Sequence, residues 1–246
     1  MNKLQKPNPS IDLVTFDLDN TLWDVMQTIT AAEKLLRGWM AEHTPAALGI
    51  YASERVGDIR EQVLKTHDDK RHDLSFLRIA VLRQCMLAAD MSPAGADENT
   101  KQAFAVFFAG RNDVAFYPNA ITTLETLSQQ YALYALTNGN ADVERVGIGR
   151  FFSGAVSSAD VGASKPDQQM FTTVLAKAGV SADRAVHIGD HLSDDVFGAN
   201  RAGMRSIWFN YEGQASNDTD HKPTAQAYTL AELPAVIASL DAAKTR

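Results

Sequence analysis

The chain has 246 residues, 45% hydrophobic and 22% charged, with a net charge of −7. That length suits one large domain or a core with a smaller companion, and the apolar share suffices for a well-buried core. The acidic balance, with no run of Lys or Arg, excludes a general nucleic-acid binder and favours cationic guests, so an anionic substrate needs local positive groups.

The N-terminal "MNKLQKPNPS" lacks the apolar segment of a signal peptide. No stretch reaches the ~18 consecutive apolar residues of a membrane span. A soluble cytoplasmic protein with no membrane partner is expected. Ile11–Asp17 then reads as a buried strand that ends on an acid. From about Val25 to Arg111 helical patterns follow one another without a convincing strand. Ile29, Ala32, Leu36 and Trp39 share one face, a second pattern runs from Leu74 to Leu87, and a third surrounds Ala103, Val106 and Phe107. Cys85, the only cysteine, lies in the apolar "LRQCMLAAD" and reads as a core residue, which leaves no internal disulfide and fits a reducing compartment.

Strands and helices alternate beyond this region. Ile121, Leu124 and Leu127 mark a helix after Pro118. Tyr131–Leu136 is a second strand, running into "TNGN", and Gly154–Ser158 a third. Met170, Phe171, Val174, Leu175 and Ala178 form a helical stripe ended by Gly179, with Pro166 suited to the first helical position. Ala185–Gly189 is a fourth strand, leading into Asp190. Val196, Ala199 and Ala202 give a helix closing at Gly203, and Arg205–Asn210 a fifth strand. The polar "EGQASNDTDHKP", 212–223, reads as a surface loop. The pattern predicts an α/β fold, a Rossmann-like doubly wound parallel sheet, with an inserted all-helical cap. The core is assigned to 1–24 and 112–246 and the cap to 25–111. Trp23, Trp39, Arg60, His67 and Arg78 are candidates to face a ligand, each with a packing or surface alternative.

Ligands in such sheets bind beyond the carboxyl ends of the strands, and polar residues collect there: Asp17 and Asp19, then Thr137 and Asn138, then Asp190, with Lys165 in the loop after the third strand. Bare carboxylates at the end of an apolar run lose water at heavy cost. Three of them converging call for raised pKa values or for a cation, and a hard divalent ion such as Mg²⁺ answers that need. Lys165 then neutralises a carboxylate and an incoming phosphate. Thr137, Asn138 and Gly139 offer a hydroxyl and N–H groups as an anion cradle if a helix starts there. Singly, each residue has a plain reading as a turn, a cap or a solvated side chain.

These segments, in this order, resemble the haloacid dehalogenase superfamily, whose members are mostly phosphatases. The resemblance rests on Asp17, Asp19 and Thr21 after an apolar strand, Thr137 in "ALTNGN", Lys165 before a helix, and Gly189–Asp190 in "IGDHLSDD". It implies that Asp17 attacks phosphorus and carries an aspartyl-phosphate, while Asp19 protonates the leaving oxygen and then activates water. It further implies that Asp17, Asp190 and the carbonyl of Asp19 hold Mg²⁺. Thr21 steadies the turn, and Asp194 or Asp195 supports the metal, with spacing in similar sequences favouring Asp195. The superfamily's 2-haloacid dehalogenases lack a carboxylate two residues after the nucleophile, which disfavours that activity here. A non-catalytic binding module would need a replaced chemical residue, and none is replaced. The wording of the motifs is most similar to C1-capped bacterial phosphatases acting on 5-amino-6-(5-phospho-D-ribitylamino)uracil in flavin synthesis, some of which also take FMN. Phosphosugar and nucleotide monophosphatases are the alternatives. A small-molecule phosphate ester is the expected partner, with the chain a monomer or weak homodimer.

Overall fold

Four consecutive buried residues, Leu13–Phe16, form β1. A strand covered on both faces needs such an unbroken run, and β1 lies in the interior of a six-stranded sheet. The computed structural model describes residues 11–215 and 221–242. Met1–Ser10, read above for a targeting signal, and 216–220 of the polar loop lie outside them. The other strands are β2 (Ala132–Thr137), β3 (Gly154–Ser157), β4 (Ala185–Gly189), β5 (Arg205–Phe209) and β6 (Ala225–Ala227). All neighbours pair in parallel, in the order β3-β2-β1-β4-β5-β6. The strand order therefore reverses between β1 and β4, and this switch point is where a doubly wound sheet opens a crevice.

The first compact unit, residues 1–23, 116–139 and 147–246, contains this sheet. On one face Leu136 and Val156 pack with Met170, Phe171 and Val174 of the helix Gln168–Ala178. Each such large side chain contributes about 1.5–3 kcal/mol on full burial. Gly179, in the left-handed conformation at φ +67°, ends that helix. Its start departs from the expectation. Pro166 lies outside it, and Asp167 caps it by accepting from the Gln169 N–H at 2.8 Å.

The second unit comprises residues 24–115 and 140–146. Its helices are α1 (Val25–His43), α2 (Pro45–Tyr51), α3 (Arg55–Thr66), α4 (Leu74–Ala88) and α5 (Pro93–Arg111). Asp24 caps α1 by accepting from Gln27 N–H at 3.0 Å, and Asp73 caps α4 by accepting from Phe76 N–H at 2.9 Å. Leu36, Met40, Leu82, Cys85 and Phe107 meet in its core. Burial pushes the Cys85 thiol up to about 11, so it stays an inert core group. Segment 140–146 departs from the boundaries assigned above. The Asp142 N–H donates to Asn112 Oδ1 at 2.7 Å, tying the segment to the end of α5.

Among the described residues, no helix is long and apolar enough to cross a membrane.

Candidate active site

The polar groups lie where β1, β2 and β4 end. Asp17 follows β1 directly and its N–H donates to Ile188 O of β4 at 2.8 Å, so backbone pairing continues across the switch point up to the acid. Asp17 is 7% exposed, too little for water alone to solvate a charge. Lys165 Nζ donates to Asp17 Oδ1 at 2.6 Å and to Asp195 Oδ1 at 2.6 Å. Asp17, Asp190 and Asp195 each present a carboxylate oxygen that lies within 4.8 Å of the other two. Of the two acids left open by the spacing, Asp195 is the one buried in this cluster. Asp194 is half-buried, and its carboxylate accepts from Asn138 Nδ2 at 3.4 Å.

One lysine does not balance three carboxylates, and their protonation reflects that. Burial would raise the Asp195 pKa, but Lys165 and the His187 hydrogen bond outweigh it and hold the group below the ordinary carboxylate range. Burial would likewise lower the Lys165 pKa, but Asp17 and Asp195 reverse this and keep the ammonium charged. Asp17 and Asp190 are left to carry the cost. Burial drives Asp17 well above its usual value, against the pull of Lys165, with Asp195 and Asp190 adding repulsion. Burial and Asp195 push Asp190 up to about 6. Oxygen donors crowded together and short of positive charge fit a hard divalent cation, which Asp17, Asp190 and Asp195 are disposed to hold.

The supporting contacts explain why these residue types stand where they do. Asp195 lies so close beneath Gly189 that a Cβ there would sit 2.2 Å from its Cγ, so the position before Asp190 admits only glycine. The second oxygen of Asp195 accepts from His191 N–H at 2.9 Å. Asn138 clasps the main chain of Lys165: its Oδ1 accepts from Lys165 N–H at 2.7 Å and its Nδ2 donates to Lys165 O at 3.0 Å. The Thr137 hydroxyl accepts from Gly139 N–H at 2.9 Å, and no helix begins there. The helix-start form of the anion cradle is therefore absent, because that N–H serves the turn. Asp19, half-buried, accepts from the indole N–H of the buried Trp23 at 2.9 Å, in a tight turn through Asn20 at φ +59°. Thr21 is buried, and its Oγ1 has no hydrogen-bond partner among the described residues.

His187 was not singled out from sequence. Completely buried in β4, its Nε2 lies 3.0 Å from Asp195 Oδ1 and its Nδ1 2.8 Å from Thr15 Oγ1. An ionised Asp195 only accepts, so Nε2 carries the proton and Nδ1 accepts from the Thr15 hydroxyl. The available signal was an imidazole inside the otherwise apolar "AVHIG". Of the other ligand-facing candidates, Trp39 stacks on His43 with ring centroids 4.6 Å apart, and His67 meets Phe76 edge-on at 5.0 Å.

At the switch point of the parallel sheet, Asp17 and Asp195 share one lysine beside Asp190, the arrangement that the sequence motifs resemble. The family profile of haloacid dehalogenase-like hydrolases matches residues 11–203. The chain belongs to that family. It is 30% identical over 238 residues to the 5-amino-6-(5-phospho-D-ribitylamino)uracil phosphatase YigB of Escherichia coli K12, across 96% of this chain and 100% of that enzyme. It is 33% identical over 145 residues to a phosphoserine phosphatase of Thermus thermophilus, across 56% of this chain and 58% of that one. Among solved structures, a 2-haloacid dehalogenase from Pseudomonas syringae pv. Tomato DC3000 superposes with a TM-score of 0.89 at 41% identity, across 94% of this chain and 99% of that one. Within the family the chain is an enzyme of the phosphatase type.

Proposed function

We propose that this chain hydrolyses a small phosphomonoester by way of an aspartyl-phosphate on Asp17, with Mg²⁺ as cofactor. The observation that carries the reading is the joining of Asp17, Asp190 and Asp195 around Lys165, with a second carboxyl group, Asp19, two residues from the nucleophile. Asp17 attacks phosphorus and displaces the leaving oxygen. Asp19, protonated, donates its proton to that oxygen. As a carboxylate it then takes a proton from the water that cleaves the aspartyl-phosphate, which restores Asp17 and releases phosphate. Acid–base assistance of this kind is worth ~10²–10⁴-fold. Trp23 steers Asp19 through the indole hydrogen bond. Lys165, oriented by Asn138 and Asp195, supplies positive charge to Asp17 and to the phosphoryl oxygens, and Thr137 binds the same oxygens. When bound, the cation offsets the carboxylates' repulsion and draws charge from the phosphoryl group. Asp17, Asp190 and the Asp19 carbonyl would hold it, with Asp195 in support.

The likeness to the ribitylaminouracil phosphatase supports 5-amino-6-(5-phospho-D-ribitylamino)uracil, or FMN, as substrate. Phosphosugars and nucleotide monophosphates are the competing esters. The likeness to the dehalogenase structure favours a second reading, halide displacement from a 2-haloacid. A departing halide takes no proton, however, so that chemistry has no use for Asp19.

The test is hydrolysis of a phosphometabolite panel that includes the flavin intermediate and FMN, with and without EDTA, beside 2-chloropropionate. Phosphate release that EDTA and Asp17→Asn both abolish is expected. Full activity in chelator refutes the metal, a wild-type rate in Asp17→Asn refutes the nucleophile, and chloride release without phosphate release replaces this reading by the second.

A further inference from the structure

The helical unit contains a cavity of about 570 Å³, within the range of small-molecule sites. Much of its wall is carbon, from Val63, Leu77, Val81 and Phe107. Into it project Glu33 of α1, Tyr51 of α2, Arg60 of α3 and Arg78 of α4. The Arg78 guanidinium lies 3.6 Å above the centre of the Phe107 ring, pairs with Glu33, and donates to the Tyr51 hydroxyl at 3.2 Å. Tyr51 in turn donates to the Glu33 carboxylate, with both oxygens at 3.1 Å. Three arginines, 37, 60 and 78, and the single carboxylate of Glu33 line the cavity, and only Arg37 and Arg78 pair with that carboxylate, so the cavity is net positive. Arg60 has no hydrogen-bond or ion-pair partner among the described residues, although a guanidinium carries five donors.

We propose that this cavity is a binding site for a planar nitrogen heterocycle bearing ring carbonyl groups. Each part of the wall selects against another class. A cation is repelled by three guanidinium groups. An aliphatic chain leaves the polar cluster without a use. A simple carboxylate must face Glu33, whose charge the cluster holds in place. A carbonyl-bearing heterocycle answers all of them. Its carbonyl oxygens accept from Arg60 and Arg78, and its ring N–H donates to the remaining acceptor capacity of Glu33. Its faces lie against the aliphatic side chains and the flat guanidinium of Arg78, which the Phe107 ring backs from the other side.

The ring arrives either as the non-phosphate part of the substrate, which rests on the phosphatase reading above, or as a separate effector. Direct binding, by calorimetry on the full chain with uracil and hypoxanthine against benzoate and cyclohexanol, is independent of that reading. The two heterocycles are expected to bind saturably and at least ~10-fold more tightly than the controls. Arg78→Met and Arg60→Met should each weaken them by ~10-fold or more. Arg60 is exposed, so its variant decides the matter if Arg78→Met fails to fold. Heterocycles that bind no better than benzoate, or that keep their affinity in Arg60→Met, overturn the proposal while leaving phosphate-ester hydrolysis untouched. Inhibition of aryl phosphate hydrolysis then separates the sources: competitive inhibition identifies the ring as part of the substrate, and non-competitive inhibition identifies an effector.

Discussion

Asp190 gives the most direct quantitative test of the carboxylate cluster, because its pKa is pushed from 3.8 to about 6 by burial and by Asp195. Between those two values the folded chain holds a proton that the unfolded chain has released. Stability of the metal-free protein therefore falls as pH rises through this window, and the loss is complete above about 6. At ~1.4 kcal/mol per pH unit the gap is worth about 3 kcal/mol, an upper figure since Asp190 keeps some contact with water. Asp17, also raised, adds to the loss in the same direction. Asp195, held low, acts oppositely and only as pH falls below the ordinary carboxylate range.

Substituting Asp190→Asn removes this charge and relieves Asp17, which Asp190 repels. Thermal unfolding in EDTA of wild type and variant, from pH 4.5 to 7.5, isolates the contribution as the difference between two curves. The variant should gain on wild type as pH rises. The part of this loss that falls inside the scanned range, from pH 4.5 to about 6, is ~2 kcal/mol, or roughly 4–8 °C in Tm for a chain of this size. Adding Mg²⁺ at pH 7.5 should raise the wild-type Tm far more than that of the variant. A pH-independent difference, or a variant that loses on wild type as pH rises, would falsify the idea that uncompensated carboxylate charge strains this site.

The strands were legible where burial is two-sided. The runs "LVTF" and "AVHIG" are apolar with one polar residue each, and both are buried throughout. β6, "AQA", has three residues and no period to detect. In the helical unit α1, α4 and α5 announced themselves through apolar stripes. α3, "RVGDIREQVLKT", buries only Val63, and α2 is seven residues long, so neither left a usable pattern. The helix expected around Val196 begins as a wider turn over Leu192–Phe197, in which Val196 N–H reaches the His191 carbonyl five residues back. Such a bulge is local backbone geometry with no signature in hydrophobic spacing.

The site divides in the same way. Acids at the ends of buried strands are conspicuous because lost hydration must be offset. What those acids bond to is set by tertiary structure: Lys165 meets Asp17 from 148 residues away and Asp195 from 30. Asn138 as a clasp on the Lys165 peptide, and His187 as a donor to Asp195, follow from the folded register of β2 and β4. No local pattern encodes them.

Two further substitutions test that network. Gly189→Ala places a Cβ against Asp195 and should both destabilise the fold, by roughly 1–3 kcal/mol in thermal unfolding, and reduce turnover; a variant with wild-type stability would show that Asp195 yields freely. At His187 the argument is about a proton rather than a volume. His187→Phe fills the space but removes one donor to Asp195, which keeps Lys165, and the closer acceptor for Thr15, which keeps the Val186 carbonyl at 3.4 Å. The loss is about 1.5–3 kcal/mol for the charged bond and ~0.5–1.5 kcal/mol for the neutral one. His187→Gln keeps an N–H that can reach Asp195. Lys165 depends on Asp195 for one of its two anchors, so turnover should fall more than 10-fold in the Phe variant and recover largely in the Gln variant. Equal loss in both, or none in either, would reduce His187 to packing.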